Sequence, residues 1–315
     1  MKKEYILLAV LILALSAYLV FKKDNQRNYT LPQPAAIEKG KIGRMVITPK
    51  KDSDGRIIEL KKDKDVWEVT DKKFAADMTA VNHLLDAARN LRLSALISES
   101  ADLVRYDLDE TRAIGVRVSS GKETLLEFKI GKTAPSGNHT FVMLEGDTRI
   151  YQADGSFRNA FDTTVDALRD KRVFTFKEEA IKRITLEKGG VSKVLDAVQL
   201  PEGKEKPSVS WRVEDTPLPD SEALTNLLSS LSFLACERFP DTISKQELEK
   251  ESPTCKITLE TETQMVLNLF DRDNGETLFG TSSTSPYAFI LESYKGKDIL
   301  SYVDKIAGLD AETKK

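Results

Sequence analysis

Two stretches of this chain carry the same apolar pattern behind a tryptophan, and that repetition narrows the fold to a duplicated module. After Trp67 come Val69 and Asp77, then Val81, Leu84, Leu85, Ala88 and Leu91 at +4, +7, +8, +11 and +14 from the aspartate. After Trp211 come Val213 and Asp220, then Leu224, Leu227, Leu228, Leu231 and Leu234 at the same steps. Steps of three and four residues lay one apolar stripe along a helix. An aspartate just ahead of the stripe is placed to accept the unpaired N–H groups of the first turn. Asp77 and Asp220 are therefore expected as helix N-caps. Trp67 and Trp211, repeated just before the helices, are expected to wedge between helix and sheet rather than to form a ligand platform.

Around each helix the sequence reads as strands. Met45 with Ile47, and Ile184 with Leu186, alternate as half-buried strands require. In the first copy a strand over 56–60 follows the Asp52-Ser53-Asp54-Gly55 turn, and a third carries Trp67. Further strands are expected at 113–118, 124–130, 139–144 and 149–152, and in the second copy at 256–260, 265–270, 287–291 and 299–303. Short Gly-containing connections make these antiparallel meanders, because parallel neighbours need long crossovers. The copies also match at Glu127-Phe128-Lys129-Ile130-Gly131 and Glu276-Thr277-Leu278-Phe279-Gly280. The expected fold is α+β: two tandem copies of a module with one amphipathic helix on a mainly antiparallel sheet, preceded by one N-terminal transmembrane helix. The expected organisation is an anchor over 1–23, a polar linker over 24–39, repeats over 40–165 and 178–305 joined by a connector over 166–177, and a polar tail over 306–315.

The anchor rests on residues 5–21, which are 17 positions without a charge between Lys2-Lys3 and Lys22-Lys23. That is the lower edge of a bilayer-spanning helix. A cleaved signal peptide is the competing reading, since Ala14, Ser16 and Ala17 are small, but Tyr18, Leu19, Val20 and Phe21 prolong the apolar run. No cysteine stands near it, which excludes an acylated lipoprotein anchor. A short basic N-terminus before a large domain fits a single-pass signal anchor in the inner membrane with its body translocated to the periplasmic side; a cytoplasmic body on the same helix is the alternative. Cys236 and Cys255, the two cysteines of the chain, are compatible with one disulfide in an oxidising compartment, and two buried thiols fit equally.

Chemistry is sparse. The net charge of −3, with charges of both signs interspersed, gives no concentrated basic face, so nucleic acid is not an expected partner. His83 lies off the apolar stripe and is expected to face solvent, and His139 has no paired ligand spacing. Asp52 and Asp54, or Asp271 and Asp273, fit hairpin turns better than a calcium loop, which demands a distal glutamate. Gly189-Gly190 lacks the Lys and Ser/Thr of a phosphate loop. The hydroxyl-rich run 281–285 reads as a solvated loop. Tyr106, Tyr151, Tyr287 and Tyr294 are candidates for surface contacts. No catalytic, metal-binding or cofactor-binding residue is assigned, and no cofactor is called for.

The strand before Trp67, the Asp77 helix with Leu84-Leu85, Tyr106-Asp107-Leu108-Asp109, the Ile130-Gly131 strand end and Leu168-Arg169-Asp170-Lys171-Arg172 together resemble the bacterial family called domain of unknown function 4340, over about residues 40–300. Phe74-Ala75-Ala76 departs from the family's commoner pattern, in which a proline often precedes the helix aspartate. The resemblance implies a membrane-anchored accessory protein, often linked to ABC-type transport systems of the gliding-motility kind, and no assigned activity.

The expected function is accordingly a non-catalytic scaffold of an envelope or transport complex, with membrane and protein partners. The alternative is a module binding a glycan, peptide or lipid in the cleft between the copies. A hydrolase is the third reading, which convergent carboxylates or a Ser/His pair in one pocket would favour. Local function is expected where the copies differ: 201–207, 281–285 and 169–172.

Overall fold

The computed structural model describes residues 10–17, 29–34, 36–51, 55–70, 74–100, 102–199, 209–214, 216–218, 222–272 and 276–309. Asp220, the proline-bounded segment 201–207, Asp52, Asp54 and Asp273 lie outside the described residues. Of the expected anchor, residues 10–17 are helical; among the described residues no helix is long and apolar enough to cross a membrane. The chain divides into two compact units between Leu168 and Arg169.

The first unit contains β1 (Arg44–Thr48), β2 (Ile58–Asp63), β3 (Val66–Val69), β4 (Phe74–Ala75), α1 (Met78–Arg89), β5 (Leu93–Ser98), β6 (Ile114–Ser120), β7 (Glu123–Thr133), β8 (His139–Leu144), β9 (Ile150–Asp154), α2 (Phe157–Phe161) and α3 (Val165–Leu168). Its strands form one sheet in the order β4-β3-β2-β1-β6-β7-β8-β9-β5, with every neighbour antiparallel. Alternation assigns the two faces: Met45 and Ile47 are fully buried, whereas Arg44 and Thr48 are exposed.

Asp77 caps α1 as its position requires, the carboxylate accepting from the N–H of Thr79 at 2.7 Å and of Ala80 at 3.3 Å. Val81, Leu84, Leu85 and Ala88 form the buried face of the helix. They share one core with Met45, Leu60, Trp67 and Val116. Full burial of each such leucine contributes about 1.5–3 kcal/mol relative to exposure. Phe128 meets the rings of Phe157 and Phe161 edge-on at 6.2 and 6.1 Å, which ties α2 to the same core.

The second unit contains β10 (Arg172–Thr175), β11 (Arg183–Lys188), β12 (Val191–Gln199), β13 (Val209–Val213), β14 (Thr216–Leu218), α4 (Glu222–Ser232), β15 (Phe233–Ala235), α5 (Lys245–Leu248), β16 (Cys255–Glu260), β17 (Gln264–Asp271), β18 (Leu278–Ser282), β19 (Phe289–Leu291) and α6 (Ser293–Ala307). The main sheet runs β14-β13-β12-β11-β16-β17-β18-β19, and β10 pairs separately with β15. Leu224, Leu227, Leu228 and Leu231 are the buried stripe of α4. Gly189 and Gly190, with φ of +59° and +80°, make the tight turn from β11 to β12, a backbone that glycine adopts without steric cost.

Both main sheets follow one path. From β1 or β11, hairpin strands β2-β3-β4 or β12-β13-β14 extend to one side, and a meander β6-β7-β8-β9 or β16-β17-β18-β19 extends to the other. The strand after the helix differs: β5 closes the first sheet against β9, whereas β15 leaves its sheet to pair with β10.

Two sequence expectations are corrected by this topology. Residues 299–303 are helix, not strand: Ile299, Val303 and Ile306 are buried at helical spacing on α6, and Gly296 sits against Leu278, where a Cβ would lie 2.8 Å from Leu278 Cδ2. The match of 127–131 with 276–280 is also displaced. The former lies in β7 and the latter reaches into β18, whereas the strand occupying the place of β7 in the second sheet is β17.

Candidate functional site

The conspicuous sequence residues serve the cores. Trp67 is buried in β3, and Trp211, half-buried in β13, packs on the second core. Cys236 and Cys255 are both buried and are not joined in a disulfide. Burial pushes the Cys255 thiol up to about 12, so it is a packed apolar group at neutral pH. His83 is exposed on α1.

The run 281–285 is not a solvated loop as a whole: Thr281, Ser282 and Ser285 are buried, and Lys245 Nζ donates to the carbonyls of Ser282 at 2.6 Å and Ser285 at 2.9 Å. Buried polar groups must be paired, and these hydroxyl-bearing residues are pinned to α5. At 169–172, Arg169 is buried with its guanidinium 3.6 Å from the Phe239 ring centroid and 4.9 Å from that of Tyr287, so it braces the second unit. Of the tyrosines read as surface contacts, Tyr294 is exposed, whereas Tyr151 is 1% exposed, its hydroxyl donating to Asp147 at 2.7 Å.

What the structure does assemble is a pocket of about 450 Å³ in the first unit, between the 3-10 turn Val104–Tyr106 and the hairpin that joins β7 to β8. Its floor is apolar and aromatic: Tyr106 meets Phe141 edge-on at 4.8 Å, with Ile97 and Ala134 beside them. Arg105 and Lys132 line it as cations, and Ser136, His139 and Gln152 supply polar groups. Sequence reasoning passed over Arg105 and Lys132, which stand 27 positions apart. The signal that pointed here was the pair of motifs at 106–109 and 130–131.

The turn is held in place from several directions. Arg112 pairs with Asp107 at 2.9 Å and Asp109 at 2.8 Å, and donates to the Val104 carbonyl at 2.7 Å. The Thr111 hydroxyl on the Asp109 carboxylate, with the Thr111 N–H and Arg112, holds that carboxyl down at about 2. Asp107 itself adopts a left-handed φ of +55°, a conformation that non-glycine residues rarely take. On the other wall, pairing of β7 with β8 slips between Ile130 and Thr133. A bulge of this kind re-aims the side chains beside it.

Ser136 and His139 form a hydrogen-bonded pair on the rim, Oγ to Nδ1 at 2.8 Å, and His139 Nε2 stands 3.5 Å from Asp154 Oδ1. If Nδ1 accepts from Ser136, the ring proton sits on Nε2, facing the carboxylate. The order resembles a hydrolytic triad with the ring reversed, and it is a Ser/His pair in one pocket of the kind that the hydrolase reading called for. The turn that joins β7 to β8 accounts for the closeness of the serine and histidine: Gly137 N–H bonds to the Ala134 carbonyl, and Ala134 N–H to that of His139.

Two other depressions have carboxylates among the residues that line them. One, of about 480 Å³ on the open face of the first sheet, holds Arg117, paired with Glu127 at 2.6 Å, and Lys51, 3.5 Å from Glu110. The other surrounds Gly189-Gly190, where Lys188 pairs with Asp304 at 2.6 Å and Lys256 with Glu187 at 2.7 Å.

The fold is thus α+β with mostly antiparallel sheets, carrying a preformed pocket on its first unit. The family described as Domain of unknown function (DUF4340) matches residues 67–254, and the chain belongs to that family. No curated protein and no solved structure matches the chain.

Proposed function

We propose that the chain is a non-catalytic, membrane-anchored accessory protein that works through protein contacts in an envelope or ABC-type transport complex. In this reading its body is two copies of one α+β module held on the extracytoplasmic side. The observation that carries it is the common strand path of the two main sheets, each joined through its last hairpin strand to a helix with buried apolar residues at the same steps. The apolar run 5–21 between lysine pairs, with the polar stretch 24–39 as a spacer, supports the same reading.

The anchoring is tested by washing membranes with alkaline carbonate. The full-length chain stays in the membrane, a chain lacking residues 1–23 is released, and alkaline phosphatase fused after Lys315 is active. Release of the full-length chain, or an inactive phosphatase fusion beside a fluorescent cytoplasmic one, contradicts the reading.

A further inference from the structure

We infer that the pocket between the Val104–Tyr106 turn and the hairpin joining β7 to β8 binds a small organic anion with an aromatic or apolar body, its charge held by Arg105 and Lys132. Its volume of about 450 Å³ falls in the range of small-molecule sites, roughly 300–1,000 Å³, and so does its pattern of apolar floor and few polar groups. The Tyr106 and Phe141 rings seat the body of the ligand.

Charge decides the ligand class. Among the described residues neither Arg105 nor Lys132 is in an ion pair, in contrast to Arg112, which braces the same turn, and Arg117 on the neighbouring strand. No carboxylate among the described residues lines the pocket. Asp154, which stands by His139 on its rim, faces His139 at 3.5 Å and Arg92 at 3.9 Å. Two cations over an aromatic floor attract an anion, and arginine adds the planar donor fork that carboxylate and phosphate oxygens match. Ser136, His139 and Gln152 give further hydrogen-bonding groups at the rim.

The pocket is also built at a conformational cost. Asp107 holds a left-handed backbone, β7 bulges between Ile130 and Thr133, and the turn is pressed onto Gly131. A left-handed non-glycine residue such as Asp107 persists where the surrounding structure over-determines it, and such residues cluster at ligand clamps. The three features lie on the two walls that carry Arg105 with Tyr106 and Lys132.

The test uses the full-length protein in nanodiscs of zwitterionic lipid, titrated with phenyl phosphate, benzoate and uncharged benzyl alcohol and read by saturation-transfer NMR. At least one of the two anions binds saturably and more tightly than benzyl alcohol, and which one binds better tells a phosphate monoester from a carboxylate ligand. Replacing both cations (Arg105→Ala with Lys132→Ala) weakens anion binding by about tenfold or more, the scale of one or two charge-assisted hydrogen bonds. Lys122→Ala, an exposed charge in the turn between β6 and β7, leaves binding unchanged. Both pocket cations are exposed, so thermal melting of the double variant matches the parent. The inference is overturned if neither anion binds saturably, if benzyl alcohol binds as well as the anions, or if the double variant binds them as tightly as the parent.

Discussion

The carbonyl oxygen of Tyr106 lies so close over Gly131 that a Cβ on the glycine would stand 2.2 Å from it. The same Cβ would meet Leu108 Cγ at 3.0 Å. This approach joins the turn that carries Arg105 to the strand that carries Lys132. Gly131→Ala must push the turn away, and overpacking of this sort costs about 1–3 kcal/mol. Gly43→Ala, where nothing lies within 4 Å of the new methyl, stays within about 0.5 kcal/mol of the parent, as surface substitutions do. Urea unfolding of the two variants checks the contrast; equal stabilities would mean that the turn is not seated on Gly131.

Asp77→Ala removes the acceptor of the Thr79 and Ala80 N–H groups at the start of α1. A lost cap of this type costs about 1 kcal/mol, whereas Asp77→Asn, which caps comparably, costs less. Chemical denaturation ranks the parent, Asn and Ala proteins in that order; an alanine variant as stable as the parent would remove the cap from the account.

Cys255 is fully buried and its thiol is raised to about 12 by burial. A raised folded value means that the protonated form is the one the fold favours. Its contribution is intact below the ordinary thiol range and is lost as pH climbs from that range through about 12. Neither cysteine is alkylated by iodoacetamide in the native protein at neutral pH, and both are alkylated once it is unfolded without reductant. Mass spectrometry reads the outcome; rapid native labelling, or a disulfide in the unfolded sample, contradicts the buried thiols.

Ser136 and His139 provide a test of the non-catalytic reading. The account predicts that any slow cleavage of an activated ester by the protein is unchanged in Ser136→Ala, because the pair belongs to the hairpin turn. Loss of cleavage in that variant alone, with the fold intact by circular dichroism, would turn the rim of this pocket into an active site.

The first-unit helix was legible because its signals agree: Asp77 at the cap, the buried positions three and four apart, and a preceding strand with Trp67. The strands around Met45 and Ile184 were legible from alternation. By contrast, β5 is half-buried at every position, so it offers no alternation to read. The helix α6 was hidden because Ile299 and Val303 are β-branched and favour strands locally; the spacing to Ile306 and the left-handed Gly308 that ends it outweigh that preference. Thr281 and Ser282 look like loop composition, and only their pairing along β17 and the reach of Lys245 bury them. The pocket was the least legible, since Arg105 and Lys132 come to line one pocket only after Gly131 admits the turn. The motifs at 106–109 and 130–131 were both visible, but sequence alone could not say that they touch.

Crosslinking in living cells followed by purification of the full-length chain in mild detergent decides whether it works inside a membrane complex. The integral components of one membrane transport or envelope complex are expected in fixed ratio with the chain, and are lost when residues 1–23 are replaced by a cleaved signal sequence. A chain that elutes alone under every crosslinking condition, at native expression level and with its membrane segment intact, would contradict it.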